Sequence, residues 1–264
     1  ARASATNIMK ARTNNTAVTA VRPPRHIAII MDGNNRWMKQ QGGSGLSGHR
    51  AGVESARRAI RLCAERGIEC LTLFAFSSEN WQRPPREVSG LMTLFANFLQ
   101  LAEVRKLHEN NIRLRFIGCR ERFDPKLRKL IEKAEKLTGD NSGMTVLVAA
   151  DYGGRWDITN AARQLAQQVK AGKLDPEKIS EELMHAHTAA SNLPAPDLCI
   201  RTGGEHRISN FLLWQFAYTE LYFTSTLWPD FDAAELDLAL ADFASRQRRY
   251  GKLSEQVETK REGA

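Results

Sequence analysis

The sequence has few cysteines and none of the cysteine patterns that bind metals or form redox pairs. Its 264 residues include four cysteines, which stand in no CxxC pair and beside no group of histidines with zinc-binding spacing. This usage favours the reducing cytosol. The sequence therefore predicts a cytoplasmic protein, and its length allows a full hydrophobic core.

Long hydrophobic runs and the common nucleotide-binding motifs are also missing. The strongly apolar runs at residues 27–31, 71–76 and 144–150 are far shorter than the roughly 20 residues of a membrane-spanning helix. Neither a P-loop nor a GxGxxG motif occurs. These absences predict a chain that does not span a membrane, and they argue against nucleoside triphosphate and dinucleotide chemistry.

The central part of the chain lacks net charge, although the whole chain carries a formal charge of +8. Residues 1–31 contain five cations and no acid, and residues 244–264 contain six cations and three acids, which leaves 27 cations and 27 anions between them. A nucleic-acid-binding domain has a basic stripe on its folded part. The balance argues against nucleic acid as a partner, and the basic amino-terminal end suits peripheral contact with anionic lipid.

Short apolar runs alternate with amphipathic stretches from residue 26 onward. Strands are predicted at residues 27–31, 71–76, 112–117, 144–150, 198–201 and 220–223, and helices at 48–66, 86–108, 125–137, 156–170 and 232–249. Strands that are apolar on both faces and separated by helices predict a mostly parallel central sheet of about six strands, flanked by helices. We expect one α/β domain at residues 25–251, a disordered extension at 1–24 and a tail at 252–264.

Polar loops follow four of the predicted strands, at residues 32–36, 77–81, 151–155 and 202–207. Ligands of open parallel sheets bind beyond the carboxyl ends of the strands. We therefore expect these four loops, three of which contain an arginine, to converge on one site.

Asp32 directly follows a buried strand, which places its carboxylate at a rigid strand end. A lone carboxylate suits Mg²⁺, which takes its other ligands from water and substrate phosphates. The alternative is that Asp32 caps the next helix or turn.

Two segments carry the donors that hold anions. Residues 33–36 supply backbone N–H groups and a guanidinium, and residues 201–209 supply two arginines and a histidine around paired glycines. Two anion pockets beside one acid predict a group-transfer protein that holds two phosphorylated molecules side by side.

The amphipathic stretch at residues 87–104 leaves two roles open. Its apolar residues recur at helical spacing, namely Val88, Leu91, Met92, Phe95, Phe98, Leu99 and Ala102. Such a stripe is core by default, but beside a diphosphate site it equally suits the wall of a hydrophobic tunnel for a long hydrocarbon.

Five segments together resemble the bacterial cis-prenyltransferases: HIAIIMDGNNRW at 26–37, GHRAG at 48–52, LTLFAFSSENWQRPPREV at 71–88, AADYGGRWDI at 149–158 and RTGGEHRISNFLLWQFAYTELYF at 201–223. The resemblance runs from about residue 26 to 251. It implies a Mg²⁺-dependent enzyme that extends farnesyl diphosphate with successive isopentenyl diphosphates in cis, to the C55 lipid carrier diphosphate of cell-wall synthesis. The DDxxD motifs of the trans-prenyl synthases are absent.

The resemblance also implies roles for individual residues. Asp32 matches the essential metal-linked aspartate, and Glu220 matches a second metal-linked acid. Asn80 matches the proton acceptor, but a neutral amide is a poor base, so we expect it to position a water or the diphosphate. The substrate contacts that the resemblance implies are Gly33, Asn34, Asn35, Arg36, Trp37, His49, Ser77, Ser78, Glu79, Trp81, Arg83, Arg201, His206, Arg207, Ile208 and Ser209.

Two positions depart from the family pattern. Asn35 stands where the best-known members read GNGR, and Gly45 stands where they carry an arginine four residues before His49. We expect these departures to affect substrate affinity more than activity.

The family further implies a homodimer, and in some members the segment that matches residues 249–251 reaches a neighbouring active site. Two alternatives remain open at this stage: a synthase of shorter cis-prenyl chains, and a non-catalytic regulatory partner of a prenyltransferase.

Overall fold

The computed structural model describes residues 23–246. The predicted extension up to residue 22, the end of the last predicted helix, residues 249–251 and the predicted tail lie outside the described residues. The elements run in the order β1 (His26–Ile30), α1 (Asn34–Gln40), α2 (Ser47–Glu65), β2 (Cys70–Ser77), α3 (Pro85–Phe98), α4 (Leu101–Glu109), β3 (Arg113–Ile117), α5 (Pro125–Thr138), β4 (Thr145–Tyr152), α6 (Gly154–Lys170), α7 (Glu181–Ala186), β5 (Leu198–Arg201), β6 (Glu220–Phe223) and α8 (Ala233–Ser245). Short 3₁₀ helices lie at Ser78–Gln82, Pro176–Lys178 and Trp228–Asp230.

The six strands of the described chain form one sheet in the order β3-β4-β2-β1-β5-β6. Every neighbouring pair is parallel, which confirms the predicted α/β class. The chain moves from β1 to one side through β2 and later returns to the other side through β5. The carboxyl end of β1 is therefore a switch point of the sheet, where ligands of such folds bind.

The hydrophobic core lies on both faces of the sheet. Successive side chains of a strand point to opposite faces, so Ile27 and Ile29 pack with the helices of one face while Ala28 and Ile30 pack on the other. All five residues of β1 and all eight of β4 are buried. Full burial explains why these strands read as continuous apolar runs.

The predicted long helix at residues 86–108 is wrong, because the chain breaks between α3 and α4. Gln100 adopts an extended backbone, and its Nε2 donates to the Ala96 carbonyl at 3.3 Å at the end of α3. The break lets both Leu99 and Val104 reach the core, where each is 2% exposed.

Two short helices, α1 and α7, were not predicted from the sequence. All seven residues of α1 are at least partly exposed, so the segment carries no apolar periodicity. The other, α7, begins after Ser180, whose Oγ accepts the Leu183 N–H at 3.2 Å. A serine followed by two glutamates was a usable start signal for that helix.

No helix in residues 23–246 is both long and apolar enough to cross a membrane.

Buried His26 makes stability depend on pH. Burial lowers the pKa of His26, although the Pro194 carbonyl and Asp197 act in the opposite direction. Its ring contacts the Pro194 carbonyl and Thr72 Oγ1, both at 2.7 Å. Below the ordinary value of 6.5 the unfolded chain therefore binds more protons than the folded chain, and stability falls as the pH falls.

We expect His26→Asn to flatten this dependence by up to about 1.4 kcal/mol per pH unit. Urea unfolding between pH 7 and pH 5 measures it. The exposed His108 offers a matched control, His108→Asn, in which the free energy of unfolding should depend on pH as in the wild type. An unchanged slope in the His26 variant would contradict this prediction.

Candidate active site

Asp32 and Arg201 join the carboxyl ends of β1 and β5. Because Ile30 pairs with Arg201 in the sheet, the guanidinium lies beside the chain that leaves β1. Arg201 Nη2 donates to Asp32 Oδ2 at 2.8 Å, and Arg36 Nη2 lies 3.4 Å from Asp32 Oδ1. The side chain of Asp32 is 32% exposed, so it remains accessible to a ligand.

The backbone of Asp32 is also held in place. Its N–H donates to Thr202 Oγ1 at 3.0 Å, and the Thr202 hydroxyl donates to the Asp32 carbonyl at 2.7 Å. The N-cap of α1 is Gly33. These contacts disfavour the interpretation of Asp32 as a helix cap.

Arg201 organises the second predicted anion loop. Its side chain is only 5% exposed. Arg201 Nη1 donates to Ser209 Oγ at 2.8 Å and to the Arg207 carbonyl. The side chain of Arg207 is 61% exposed and pairs with Glu205, so it is available to an anion from solvent.

A glycine allows Arg36 to approach the loop after β5. Gly203 has a φ of 87°, and a Cβ at this position would lie 2.6 Å from Arg36 Nη2. Its neighbour Gly204 also has a positive φ, of 75°, but a Cβ there would meet only the Ser225 Cα, at 3.7 Å. Gly203 therefore leaves room for the guanidinium.

A polar pocket of about 160 Å³ lies at the carboxyl end of β1. It contacts an apolar cavity of about 110 Å³ that is lined mainly by α2, α3 and the sheet. The residues that line both are Met31, Asn34, His49, Ala75 and Leu91. An anionic group and a hydrocarbon of one molecule would thus find adjacent environments.

The residues of the predicted stripe lie in several places. Leu91, Phe95 and Phe98 line the apolar cavity, whereas Val88 and Met92 line a separate groove between α3 and α5. The stripe is therefore neither entirely core nor entirely the wall of one channel.

His49 lies where the polar pocket meets the apolar cavity. Its Nε2 is 3.3 Å from Glu87 Oε1, and Glu87 Oε1 also accepts from Arg83 Nη1 at 3.0 Å. Burial lowers the pKa of His49, more than the Glu87 hydrogen bond raises it. The imidazole is therefore neutral near pH 7 and can donate a hydrogen bond without adding charge.

The loop after β2 brings Asn80 to the polar pocket. Asn80 Oδ1 accepts the Ser77 N–H at 3.0 Å in a capping box, which fixes the amide and engages its oxygen. Glu79 points elsewhere, since its Oε1 accepts from Asn210 Nδ2 at 2.9 Å. Ser78 lies near Gly153, at which a Cβ would be 3.4 Å from the Ser78 hydroxyl.

Several predicted substrate contacts lie away from the polar pocket. Trp81 lines the groove between α3 and α5 and packs on Phe76 with ring centroids 5.1 Å apart. Trp37 Nε1 donates to Asp230 Oδ1 at 2.7 Å. His206 packs on the ring of Phe223. Ile208 packs against the hydrophobic core on the second face of the sheet.

The described chain does not bring Glu220 to Asp32. Glu220 begins β6 and pairs with Leu198 at the amino end of β5, whereas Asp32 follows the carboxyl end of β1. At about 3.3 Å per residue the two carboxylates are more than about 10 Å apart. Glu220 instead accepts from Arg246 Nη1 at 2.8 Å.

Three residues of the site were missed at the sequence level: Thr202, Glu87 and Asn210. Thr202 was named only as part of a loop, and its position directly after β5 was the available signal. Glu87 stands four residues after Arg83, the spacing at which helical side chains meet. Only the tertiary structure reveals the contacts of Asn210.

The geometry defines a class of protein: an α/β protein with an anion pocket at the switch point of its sheet, beside an apolar cavity that suits a hydrocarbon. The prenyltransferase family model for undecaprenyl diphosphate synthase matches residues 30–251. The chain belongs to this family of prenyltransferases.

Individual relatives agree with the family. The chain is 58% identical to a ditrans,polycis-undecaprenyl-diphosphate synthase, (2E,6E)-farnesyl-diphosphate specific, of Pseudomonas putida, over 89% of this chain and 93% of the relative. It is 56% identical to the protein of the same description in Escherichia coli K12, over 86% and 89%. The crystal structure of lavandulyl diphosphate synthase from Lavandula x intermedia with dimethylallyl diphosphate superposes with a TM-score of 0.83 at 40% identity, over 87% of this chain and 99% of that one.

We expect Gly203→Ala to weaken anion binding by at least about tenfold, because the new Cβ displaces the Arg36 guanidinium. Calorimetric titration with inorganic diphosphate measures the affinity. Gly204→Ala is the matched control: it places the same methyl group at a positive φ without approaching Arg36. Equal affinities of the two variants would contradict this role of Gly203.

Proposed function

We propose that the chain is a cis-prenyltransferase that condenses (2E,6E)-farnesyl diphosphate with successive isopentenyl diphosphates to ditrans,polycis-undecaprenyl diphosphate. The observation that carries the proposal is the contact between the polar pocket around Asp32 and the apolar cavity behind it. The names of the relatives at 56% and 58% identity support the same substrates. A shorter product is the alternative within the class.

In each cycle the C1–O bond of the allylic diphosphate breaks, C1 bonds to C4, the terminal alkene carbon of isopentenyl diphosphate, and a proton leaves C2 as the new C2–C3 double bond forms. The departing diphosphate gathers negative charge. Arg36 lies on the pocket wall and stabilises that charge, which is the electrostatic contribution of a preorganised site. His49 lies at the boundary with the hydrocarbon, where its neutral ring pairs with Glu87 and adds no charge.

Arg207 and Ser209 suit the second substrate. The exposed guanidinium of Arg207 binds the diphosphate of isopentenyl diphosphate, and Arg201 holds the loop that presents it. Fixing the double bond near the allylic carbon supplies the proximity contribution. Because Asn80 Oδ1 already accepts a backbone N–H, we propose that Asn80 orients the proton acceptor rather than taking the proton itself.

Mg²⁺ fits the donor set of this pocket. Asp32 supplies one partly exposed carboxylate, and residues 23–246 hold no cluster of three or more His, Cys, Asp or Glu that would favour another metal. Mg²⁺ is commonly bound by one or two carboxylates together with substrate phosphates. When bound, it would neutralise negative charge on the diphosphate of the allylic substrate.

A growing chain requires more space than the apolar cavity offers in this conformation. Ligand cavities commonly measure about 300–1,000 Å³, whereas this cavity measures about 110 Å³. We propose that it is the start of a hydrophobic tunnel, and that α3 moves away from α2 as the hydrocarbon lengthens.

A homodimer and peripheral contact with anionic lipid complete the proposal. The family resemblance supports the dimer. The five cations and no acid of residues 1–31 support the lipid contact.

We expect Asp32→Ala to lower the condensation rate by at least about a hundredfold, because the metal that would neutralise the leaving diphosphate loses its carboxylate ligand. The assay is incubation with farnesyl diphosphate, labelled isopentenyl diphosphate and Mg²⁺, followed by analysis of product length, for which we expect C55. Asp32→Asn keeps a hydrogen-bond acceptor for Arg201 but removes the negative charge, so it tests how much that charge contributes to the condensation rate. Asp237→Ala, which removes an exposed partner of Arg66, is the control.

More than a few per cent of wild-type turnover in the Asp32→Ala variant would contradict the role of Asp32. An inactive wild-type chain would favour the non-catalytic regulatory partner, and a short product would favour the alternative synthase.

We expect Arg207→Ala to raise the KM for isopentenyl diphosphate by at least about tenfold with a smaller change in kcat, because a charge-assisted contact is lost. Steady-state kinetics at saturating farnesyl diphosphate measures this split. Arg61→Ala is a matched control, since Arg61 is also 61% exposed and also paired with a glutamate. An unchanged KM would mean that Arg207 serves the loop alone.

A further inference from the structure

Asn210 lies where the loops after β2, β4 and β5 meet. It adopts a left-handed backbone with a φ of 61°, and the preceding Ser209 does so with a φ of 48°. Asparagine tolerates this region better than most residues other than glycine, so the turn itself explains part of the choice. It does not explain what the side chain does.

The polar groups of Asn210 contact the start of α6 and the 3₁₀ helix after β2. Its carbonyl accepts the Gly154 N–H at 2.6 Å, and its Oδ1 accepts the Arg155 N–H at 2.9 Å. Its Nδ2 donates to Glu79 Oε1 at 2.9 Å. One amide therefore ties the first turn of α6 to the 3₁₀ helix after β2.

The residues around the Asn210 amide leave space for it and accept its hydrogen bond. A Cβ at position 153 would lie 2.7 Å from Asn210 Nδ2, so Gly153 leaves the space that the side chain occupies. Burial of the Glu79 carboxyl acts to raise its pKa, but hydrogen bonds, first among them the one from Asn210, outweigh it and lower the pKa. Glu79 is therefore ionised near pH 7, and the contact is a charge-assisted hydrogen bond.

Glu79 and Asn210 are each adjacent in sequence to a residue of the proposed reaction site. Glu79 precedes Asn80, which lines the polar pocket. Asn210 follows Ser209, whose hydroxyl accepts from Arg201. The Glu79–Asn210 bond thus joins the segment that carries Asn80 to the turn that carries Ser209.

We propose that Asn210 is a positioning residue, and that its hydrogen bond to Glu79 sets the separation between Asn80 and isopentenyl diphosphate bound at Arg207 and Ser209. The inference rests on the proposed function. It also assigns Glu79 to this bond rather than to direct contact with substrate.

The test is a double-variant cycle. Asn210→Asp places a second carboxylate against Glu79, and we expect kcat/KM for isopentenyl diphosphate to fall at least about tenfold. The dissociation constant of farnesyl diphosphate should change less than about twofold, because Asn210 does not line the polar pocket. With Glu79→Gln the bond re-forms with reversed polarity, since the new amide N–H donates to the new carboxylate.

In the Glu79→Gln background, Asn210→Asp should therefore lower kcat/KM for isopentenyl diphosphate by less than about threefold. The control is Asn110→Asp, which makes the same chemical change opposite the Lys106 carbonyl, far from the site. Asn210→Gly keeps the left-handed backbone without the amide and covers the case in which Asn210→Asp does not fold. It should show the same tenfold loss in kcat/KM for isopentenyl diphosphate.

The assignment would be overturned if Asn210→Asp lowered kcat/KM equally in the wild-type and Glu79→Gln backgrounds. It would also be overturned if either Asn210 variant kept the wild-type kcat/KM. An equal rise in the farnesyl diphosphate dissociation constant would overturn it as well. A wild-type chain without condensation activity would contradict the proposed function instead, so the two failures are distinguishable.

Discussion

The buried guanidinium of Arg201 is the interaction on which the arrangement of the site depends. A charge that is only 5% exposed requires partners for its N–H groups, and leaving it unpaired would cost several kcal/mol. Asp32, the Arg207 carbonyl and the Ser209 hydroxyl accept from its two Nη atoms, whereas its Nε has no hydrogen-bond partner among the described residues. The loop after β5 therefore folds around the same group that orients the carboxylate after β1, and neither position is independent of the other.

The second constraint is the boundary between the charged and the apolar parts of the site. His49 and Leu91 line both the polar pocket and the apolar cavity. A charged side chain here would have to be desolvated against the hydrocarbon, whereas a neutral imidazole pairs with Glu87 and still faces the apolar side. An amphiphilic diphosphate would encounter this same change of environment along its own length.

Much of the fold could be predicted, because burial leaves a direct trace in the sequence. β5 and β6 have the predicted bounds, and the other four strands differ from prediction by one or two residues. The helix α1 carries no apolar stripe and was taken for a loop. The break at Gln100 was missed because the apolar spacing continues across it; the chain turns there without proline or glycine. For the site, the loops after β1, β2 and β5 do converge, and the segment after β4 meets them at Asn210, but position after a strand did not reveal that Trp81 faces a different groove.

By itself, the sequence determined the class of fold, the acid at the end of β1 and the two segments rich in anion donors, because hydrophobic periodicity and residue chemistry are local properties. Only the tertiary structure decided which of those groups meet. It placed Arg201 against Asp32, joined Glu79 to Asn210 across 131 positions of the chain and left Glu220 at the amino end of the edge strand β6, away from Asp32. Such contacts depend on strand order and register, and a strand's own residues do not encode which strand will lie beside it.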